Sequence, residues 1–238
     1  RSTPTAGAVG FRRQGEGSLG GLAIGLPVVG IAASELLLFF GYTQFALWGH
    51  IVTLVVCTLA PLRFAAEISV FRAFALVPLF RLVNLGMPVF FQLTLGWFPF
   101  IYGPLIPALL LVARDQDGVD LGRLPSLATL AVGLPLAVGM SLVLAEVEYA
   151  IIQPDALVPA LDWLSRLFIG VVMICFLAPM EELLFRGILQ QTLEARIGTW
   201  AGLLLASALF GLMHSGYGIP AAIAYAGVIG LLRGLVYD

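Results

Sequence analysis

Two adjacent carboxylates and an arginine lie within one short segment of a chain that otherwise avoids charge for long stretches. The segment reads PMEELLFR and carries Glu181, Glu182 and Arg186. A later apolar stretch contains His214, which is its only histidine or charged residue. Ionisable groups are costly in hydrocarbon, and those that occur there usually have a function. This combination of side chains therefore indicates chemistry carried out within a membrane.

Helix periodicity distinguishes the two carboxylates. At about 100° per residue, Glu182 and Arg186 lie one turn apart on one face, with the acid before the base, as an (i, i+4) ion pair prefers. Glu181 is rotated from Glu182 by about 100°, and Leu184 and Phe185 occupy the positions where its partner would stand. We therefore expect Arg186 to neutralise Glu182. Glu181 must find its partner on another helix.

Pro179 and His214 complete the predicted site. Pro179 has no N–H group to donate, so it predicts a kink or a restart of the helix beside the carboxylates. His214 lies on the next apolar helix, and a short turn between antiparallel helices can bring it into register with Glu181. A carboxylate and an imidazole that converge on one water form a general-base site.

Structural roles are the alternatives for the same residues. Glu182 and Arg186 fit an ion pair at an interface, which contributes little to stability. His214 fits a hydrogen bond between helices. Considered alone, the ion pair and the histidine are each better interpreted as structural. An unpaired acid, a paired acid and an imidazole in one charge-starved region together favour function.

The composition predicts an all-α, polytopic transmembrane helical bundle. Hydrophobic residues make up 60% of the 238 residues and charged residues 11%, against roughly 25% charged in an ordinary globular domain. All basic residues are Arg, and the net charge of −2 provides no basic surface for nucleic acid. Cys57 and Cys175 stand singly in apolar stretches, so we expect neither a disulfide nor a metal site from them.

The apolar stretches divide the chain into about seven hydrophobic segments, by the rule of roughly 20 residues per span. Residues 1–18 are predicted to be a disordered leader, and residues 19–113 to form N-terminal transmembrane or interfacial helices. Within that region, residues 63–83 fit either an interfacial helix or a span, and residues 86–113 fit either one kinked span or a re-entrant pair. A span at 124–145 and a linker at 146–159 follow. The predicted final helices are 161–197, 199–215 and 219–237.

The remaining polar outliers receive no functional role. Glu35, His50, Glu146 and Glu148 each lie near the end of an apolar stretch. Placement at the membrane interface explains such positions. We therefore expect these four side chains to lie near the membrane surface, away from the site.

The motifs resemble those of a known family. EELLFR, which begins at Glu181, fits the pattern EExxxR, and FGLMH, which ends at His214, fits FxxxH. Both motifs, their order and their apolar flanks are similar to those of the CPBP family, the CAAX proteases and bacteriocin-processing enzymes, also called Abi. The stretch 119–123 resembles the segment that often precedes the core of that family. The resemblance covers residues 119–238.

The resemblance implies an intramembrane glutamic endopeptidase similar to the type II CAAX prenyl proteases. Glu181 would activate water, His214 would hold and polarise it, and Glu182 with Arg186 would brace the site, with Phe210 packing beside them. One histidine and two glutamates make a poor zinc site, so the expectation is no metal and no other cofactor. The family has a further His motif on a last core helix. This sequence ends at Asp238, before such a helix, so we expect a core that lacks it and an activity reduced accordingly.

The predicted protein is a multi-pass protein of a microbial cell membrane that acts by intramembrane proteolysis. Its expected partners are the lipid bilayer and a membrane-associated protein or peptide, with a prenylated CAAX protein as one option. The first alternative is a non-catalytic scaffold or bacteriocin immunity-type protein of the same family. The second is a small ion-coupled transporter, for which the sequence lacks convincing inverted repeats.

Overall fold

The computed structural model describes residues 13–86, 94–116, 118–122, 126–153 and 162–237. Residues 1–12 of the predicted leader, residues 154–159 of the predicted linker, Arg123 of the stretch 119–123 and Asp238 lie outside these ranges. The rest of the leader, residues 13–18, lies in the first helix, which begins at Arg13.

Within the described ranges the chain forms eight helices and no strand, which confirms the all-α fold class. They are α1 (Arg13–Phe39), α2 (Thr43–Leu59), α3 (Ile68–Leu85), α4 (Phe98–Arg114), α5 (Leu127–Ile152), α6 (Trp163–Ile197), α7 (Thr199–Leu212) and α8 (Pro220–Tyr237). Short 3₁₀ turns precede or follow several of them, and one of these, Ser215–Tyr217, joins α7 to α8.

Seven of these helices are long and apolar enough to cross a membrane, so the chain is a multi-pass membrane protein. The eighth, α7, has only 14 residues but is apolar and packs inside the bundle. The ambiguous segment 63–83 overlaps a candidate span, Ala65–Leu85, in all but its first two residues. In the proline-rich segment 86–113, the residues that the structure describes include a single α-helix, α4, which lies within the candidate span Leu95–Arg114.

Helix α5 is longer than the sequence predicts. It continues to Ile152 and ends at Gln153, which has a left-handed backbone conformation (φ 46°). The linker predicted to start at residue 146 therefore begins only after the helix, and Glu146 and Glu148 are helical. The continuation follows from the sequence 149–152, YAII, which keeps the helix apolar after the two acids.

Helix α6 holds the centre of the C-terminal half and packs against α3, α4 and α7. Asp162 caps its N-terminus by accepting a hydrogen bond from the Ser165 N–H at 2.8 Å. Around Pro179 the helix widens, with π-helical turns at Met173–Leu177 and Leu183–Gln190 on either side of a short α-helical stretch. Pro179 removes one backbone donor, and wide turns of this kind often occur at functional sites.

Helices α7 and α8 approach each other closely at Gly211. A Cβ atom there would come within 2.7 Å of the Ile223 carbonyl oxygen and 3.0 Å of the Gly227 Cα. The absence of a side chain therefore allows the two backbones to meet. Gly211 directly follows Phe210 in the second motif, so this contact holds the motif against α8.

Candidate functional site

Glu181 and His214 line the same two cavities, although they come from different helices. Glu181 lies on α6, between the two π-helical turns, and is half-buried. His214 directly follows the residue that caps the C-terminus of α7 and is half-buried as well. The structure thus brings together the two side chains predicted to act on water. For the Glu181 carboxylate there is no hydrogen bond or ion pair to any residue in the described ranges.

The two cavities differ in their lining. The larger, of about 440 Å³, is bordered by α5 and α8 and also contains Glu148, Tyr225 and Arg233. The smaller, of about 360 Å³, is largely aromatic and reaches α3 and α4; it is lined by Phe80, Arg81, Asn84, Phe98, Tyr102 and Phe185 among others. Glu181 and His214 belong to both linings, so they stand where the two spaces meet.

The imidazole of His214 is held in one orientation. Its Nδ1 lies 2.9 Å from the carbonyl oxygen of Phe210, one turn earlier. A carbonyl oxygen only accepts, so Nδ1 carries the proton and Nε2 keeps a lone pair. Phe210 packs edge-on to the imidazole with ring centres 5.0 Å apart, and Tyr217 stacks on it at 6.3 Å. The free acceptor atom of His214 is therefore Nε2.

Glu182 has a partner that the sequence analysis did not predict. Its Oε1 accepts a hydrogen bond from Nη1 of Arg233, on α8, at 3.0 Å. Arg186 Nε lies 3.8 Å from Glu182 Oε2, a contact at the limit of an ion pair. The predicted (i, i+4) pair is therefore present but weak, and the stronger contact crosses to α8. Helix periodicity relates positions on one helix only and gives no information about Arg233.

Arg186 is almost fully buried, with 1% of its surface exposed. Its guanidinium lies over the ring of Phe210, 4.5 Å from the ring centre, in a cation–π contact. Over the described part of the chain, none of its three guanidinium nitrogens has a hydrogen-bond partner. Phe210, which the family resemblance makes a packing residue, therefore contacts Arg186, His214 and the ring of Phe185.

A second polar cluster lies deep in the bundle, and it corrects the expected interfacial placement of Glu35 and His50. Both side chains are 0% exposed. Arg81 of α3 donates to both carboxylate oxygens of Glu35, from Nε at 2.7 Å and from Nη2 at 2.6 Å. His50 Nε2 lies 3.2 Å from Glu35 Oε1. These two side chains therefore lie between helices and not at an exposed polar surface, because α1 and α2 place them against α3, which sequence position alone does not show.

The same cluster reaches the second motif. Arg81 Nη2 also donates to the carbonyl oxygen of Met213, and the hydroxyl of Ser215 donates to Glu35 Oε2. Met213 and Ser215 are the two neighbours of His214 in the chain. The sequence analysis missed this link entirely. The one available signal was that Glu35 and Arg81 are opposite charges in apolar helices, which tend to pair with each other.

Glu148 and the two cysteines lie in different surroundings. Glu148, expected only at the interface, is exposed and lines the larger cavity. Cys57 is buried and Cys175 is exposed, both as free thiols. In the ranges that the structure describes, no three His, Cys, Asp or Glu side chains group closely enough to hold a metal ion.

Comparison with known proteins supports the family resemblance for the C-terminal part of the chain. Residues 163–238 match the family model described as type II CAAX prenyl endopeptidase Rce1-like. The matched region contains both motifs, which confirms the resemblance to CAAX-type proteases. A search of curated proteins and a search of solved structures each gave no match.

Proposed function

We propose, on the premise that residues 163–238 form the core of a type II CAAX prenyl endopeptidase-like protein, that this membrane protein is an endopeptidase. It hydrolyses a peptide bond of a membrane-associated protein or peptide within or beside the bilayer. The single observation that carries the proposal is the convergence of Glu181 and His214. The first motif provides an acid without a partner, and the second provides an imidazole with a free acceptor nitrogen, at the junction of the same two cavities.

The proposed reaction needs one water between these two side chains. Glu181 accepts a proton from the water while Nε2 of His214 accepts a hydrogen bond from its other O–H group. The water oxygen attacks the carbonyl carbon and forms a tetrahedral intermediate. When the C–N bond breaks, the proton held by Glu181 passes to the leaving nitrogen. The acyl product forms as a carboxylic acid that carries the second proton of the water. It passes this proton to the released amine, which gives a carboxylate and an ammonium group, and Glu181 returns to its starting state.

The neighbouring charges support this assignment of roles. Glu182 is occupied by Arg233 and lies near Arg186, so it is not the acid available to a water. Arg186 packs on Phe210, whose carbonyl oxygen in turn holds His214. We therefore propose that Glu182, Arg186 and Phe210 support the site without touching the reacting atoms. The site as proposed uses no metal, because its converging donors are one carboxylate and one imidazole.

The two cavities suggest how a peptide would lie. An extended substrate that crosses the junction would place one side of the scissile bond in the aromatic cavity and the other beside Arg233 and Glu148. The aromatic lining suits an apolar or lipid-modified residue. A prenylated cysteine is one candidate for that residue, and the apolar side chain of a membrane peptide is another.

The experiment is a cleavage assay with the full chain in liposomes. Paired peptides that differ only in a prenyl group on one cysteine are incubated with the protein, and the products are identified by mass spectrometry. A single new cleavage position in either peptide supports the proposed endopeptidase, and a preference between the two identifies the substrate class. Binding of the peptides without any product would contradict the proposal and favour a non-catalytic member of the family.

A further inference from the structure

The backbone on both sides of His214 is tied to one buried ion pair. Arg81 donates to the carbonyl oxygen of Met213, and Ser215 donates its hydroxyl to Glu35. Glu35 and Arg81 lie on α1 and α3, far from the second motif in sequence. All the side chains in this group are at most 8% exposed. The turn that carries His214 is thereby fixed to the N-terminal helices.

The ion pair is not explained by stability alone. A buried pair gains no more than well-packed apolar side chains would, because both charges lose their hydration. Its hydrogen bonds, however, are specific. Met213 caps the C-terminus of α7, where carbonyl groups have no partner within the helix, and Arg81 satisfies one of them. Glu35 uses both oxygens for Arg81 and still accepts from Ser215, so the arrangement permits little displacement of the turn.

We propose that Arg81, held by Glu35, is a positioning residue for His214: it fixes the turn so that Nδ1 meets the Phe210 carbonyl oxygen and Nε2 stays free as an acceptor. The inference rests on the proposed function only for the role of His214. Arg81 also borders the aromatic cavity, but its side-chain hydrogen bonds go to Glu35 and to the carbonyl oxygen of Met213, so its positioning role is exerted through the backbone of Met213. The N-terminal helices thereby contribute to a site whose motifs lie entirely in the C-terminal half.

Loss of this support has a defined consequence. Without the bonds to Met213 and Ser215, the turn is free to shift, and the contact between Nδ1 and the Phe210 carbonyl oxygen loosens. The imidazole then exchanges between its two neutral tautomers, because nothing else fixes the proton on Nδ1. A displacement of this kind costs up to about 10²-fold in rate when a reacting group moves by roughly 1 Å.

The test uses the fact that the chain has only two histidines. Histidine labelled with ¹⁵N gives two imidazole groups by NMR of the full chain in detergent micelles. A His214→Gln sample, in which only His50 remains, identifies the signals of His214. In the native sequence we expect a single Nδ1–H tautomer for His214. In Arg81→Gln and in Ser215→Ala we expect a mixture of tautomers, larger in Arg81→Gln. Ser215→Ala removes a single hydrogen bond, so it remains informative if Arg81→Gln does not fold.

The matched control is Glu67→Gln. Glu67 lies at the start of α3, away from His214. Like Glu35, it pairs with an arginine that is distant in the sequence, Arg196. The Glu67→Gln substitution should lower the stability of the protein without changing the NMR signals of His214. In a cleavage assay, Ser215→Ala should lower kcat with KM nearly unchanged, because Ser215 lines neither cavity, and Glu67→Gln should leave both unchanged. Arg81→Gln should lower kcat as well.

A retained Nδ1–H tautomer in both folded variants of Arg81 and Ser215 would overturn the proposal, as would an equal change in Glu67→Gln. The spectrum requires no substrate. Absence of cleavage by the native chain therefore counts against the proposed function alone and leaves the positioning role to be decided by the tautomer.

Discussion

The Nδ1–H group of His214 donates to the carbonyl oxygen of Phe210 over 2.9 Å, so the ring presents Nε2 as its free acceptor. This bond joins the first and last residues of the FxxxH motif. The spacing of four residues is one helical turn, which is the separation that lets a side chain reach the backbone one turn back. The motif thus encodes the orientation of the imidazole.

Two substitutions of His214 distinguish its nitrogens. The amide nitrogen of Asn can replace Nδ1 and keep the bond to Phe210, whereas the amide oxygen of Gln can replace the acceptor at Nε2. We therefore expect His214→Asn to lose roughly 10²-fold or more of the cleavage rate, as for a general acid–base group. His214→Gln should lose less. Initial rates in liposomes measure the difference, and a more active Asn variant would show that the tautomer is assigned wrongly.

The close contact of α7 and α8 predicts the effect of a single methyl group. Gly211→Ala places a Cβ atom 2.7 Å from the Ile223 carbonyl oxygen, so the helices must separate. We expect a loss of about 1–3 kcal/mol in stability, the usual cost of overpacking. Thermal unfolding in detergent is the measurement.

Gly139→Ala is the control for that substitution, since a Cβ atom at this exposed position on α5 meets no atom within 4 Å. It should leave the unfolding temperature unchanged or raise it, because Ala favours a helix over Gly. Equal losses in the two variants would mean that the close approach of α7 and α8 is not what Gly211 provides.

Arg186 is expected to separate activity from stability. It is buried and its guanidinium has no hydrogen-bond partner among the described residues, while Glu182 retains Arg233 if Arg186 is removed. Arg186→Met should therefore leave the unfolding temperature unchanged or higher, because a buried guanidinium without hydrogen bonds is replaced by an apolar side chain of similar length. Cleavage should fall, because the packing of Phe210 under His214 is altered. A lower unfolding temperature together with a native cleavage rate in Arg186→Met would contradict both expectations.

The sequence predicts the candidate site better than it predicts the surroundings of that site. The different surroundings of Glu181 and Glu182 follow from helix geometry on one segment. The partner expected for Glu181 on another helix is not found, because its carboxylate has no hydrogen bond or ion pair within the described ranges. The hydrogen bond from Arg233 to Glu182 depends on how α8 crosses α6, which no local pattern encodes. The family motifs likewise identify His214 but not the residues whose hydrogen bonds hold its turn in place.

The same limit explains the error at Glu35. A polar residue near the end of an apolar stretch is usually interfacial, and that rule does not predict that Glu35 is fully buried between helices. Its burial depends on Arg81, which is 46 residues later and on another helix. The greater length of α5 has a different cause, because Glu146 and Glu148 predict the end of a helix that apolar residues then continue to Ile152.

The most direct test of the account is the cleavage rate of Glu181→Gln beside that of Glu146→Gln. Glutamine keeps the size of the side chain but cannot accept the proton from water, so Glu181→Gln should retain the fold and lose roughly 10²–10⁴-fold in rate. Glu146 is exposed on α5 and lines neither cavity, so Glu146→Gln should cleave at the native rate. Cleavage by folded Glu181→Gln at the rate of Glu146→Gln would contradict the assignment of Glu181 as the base.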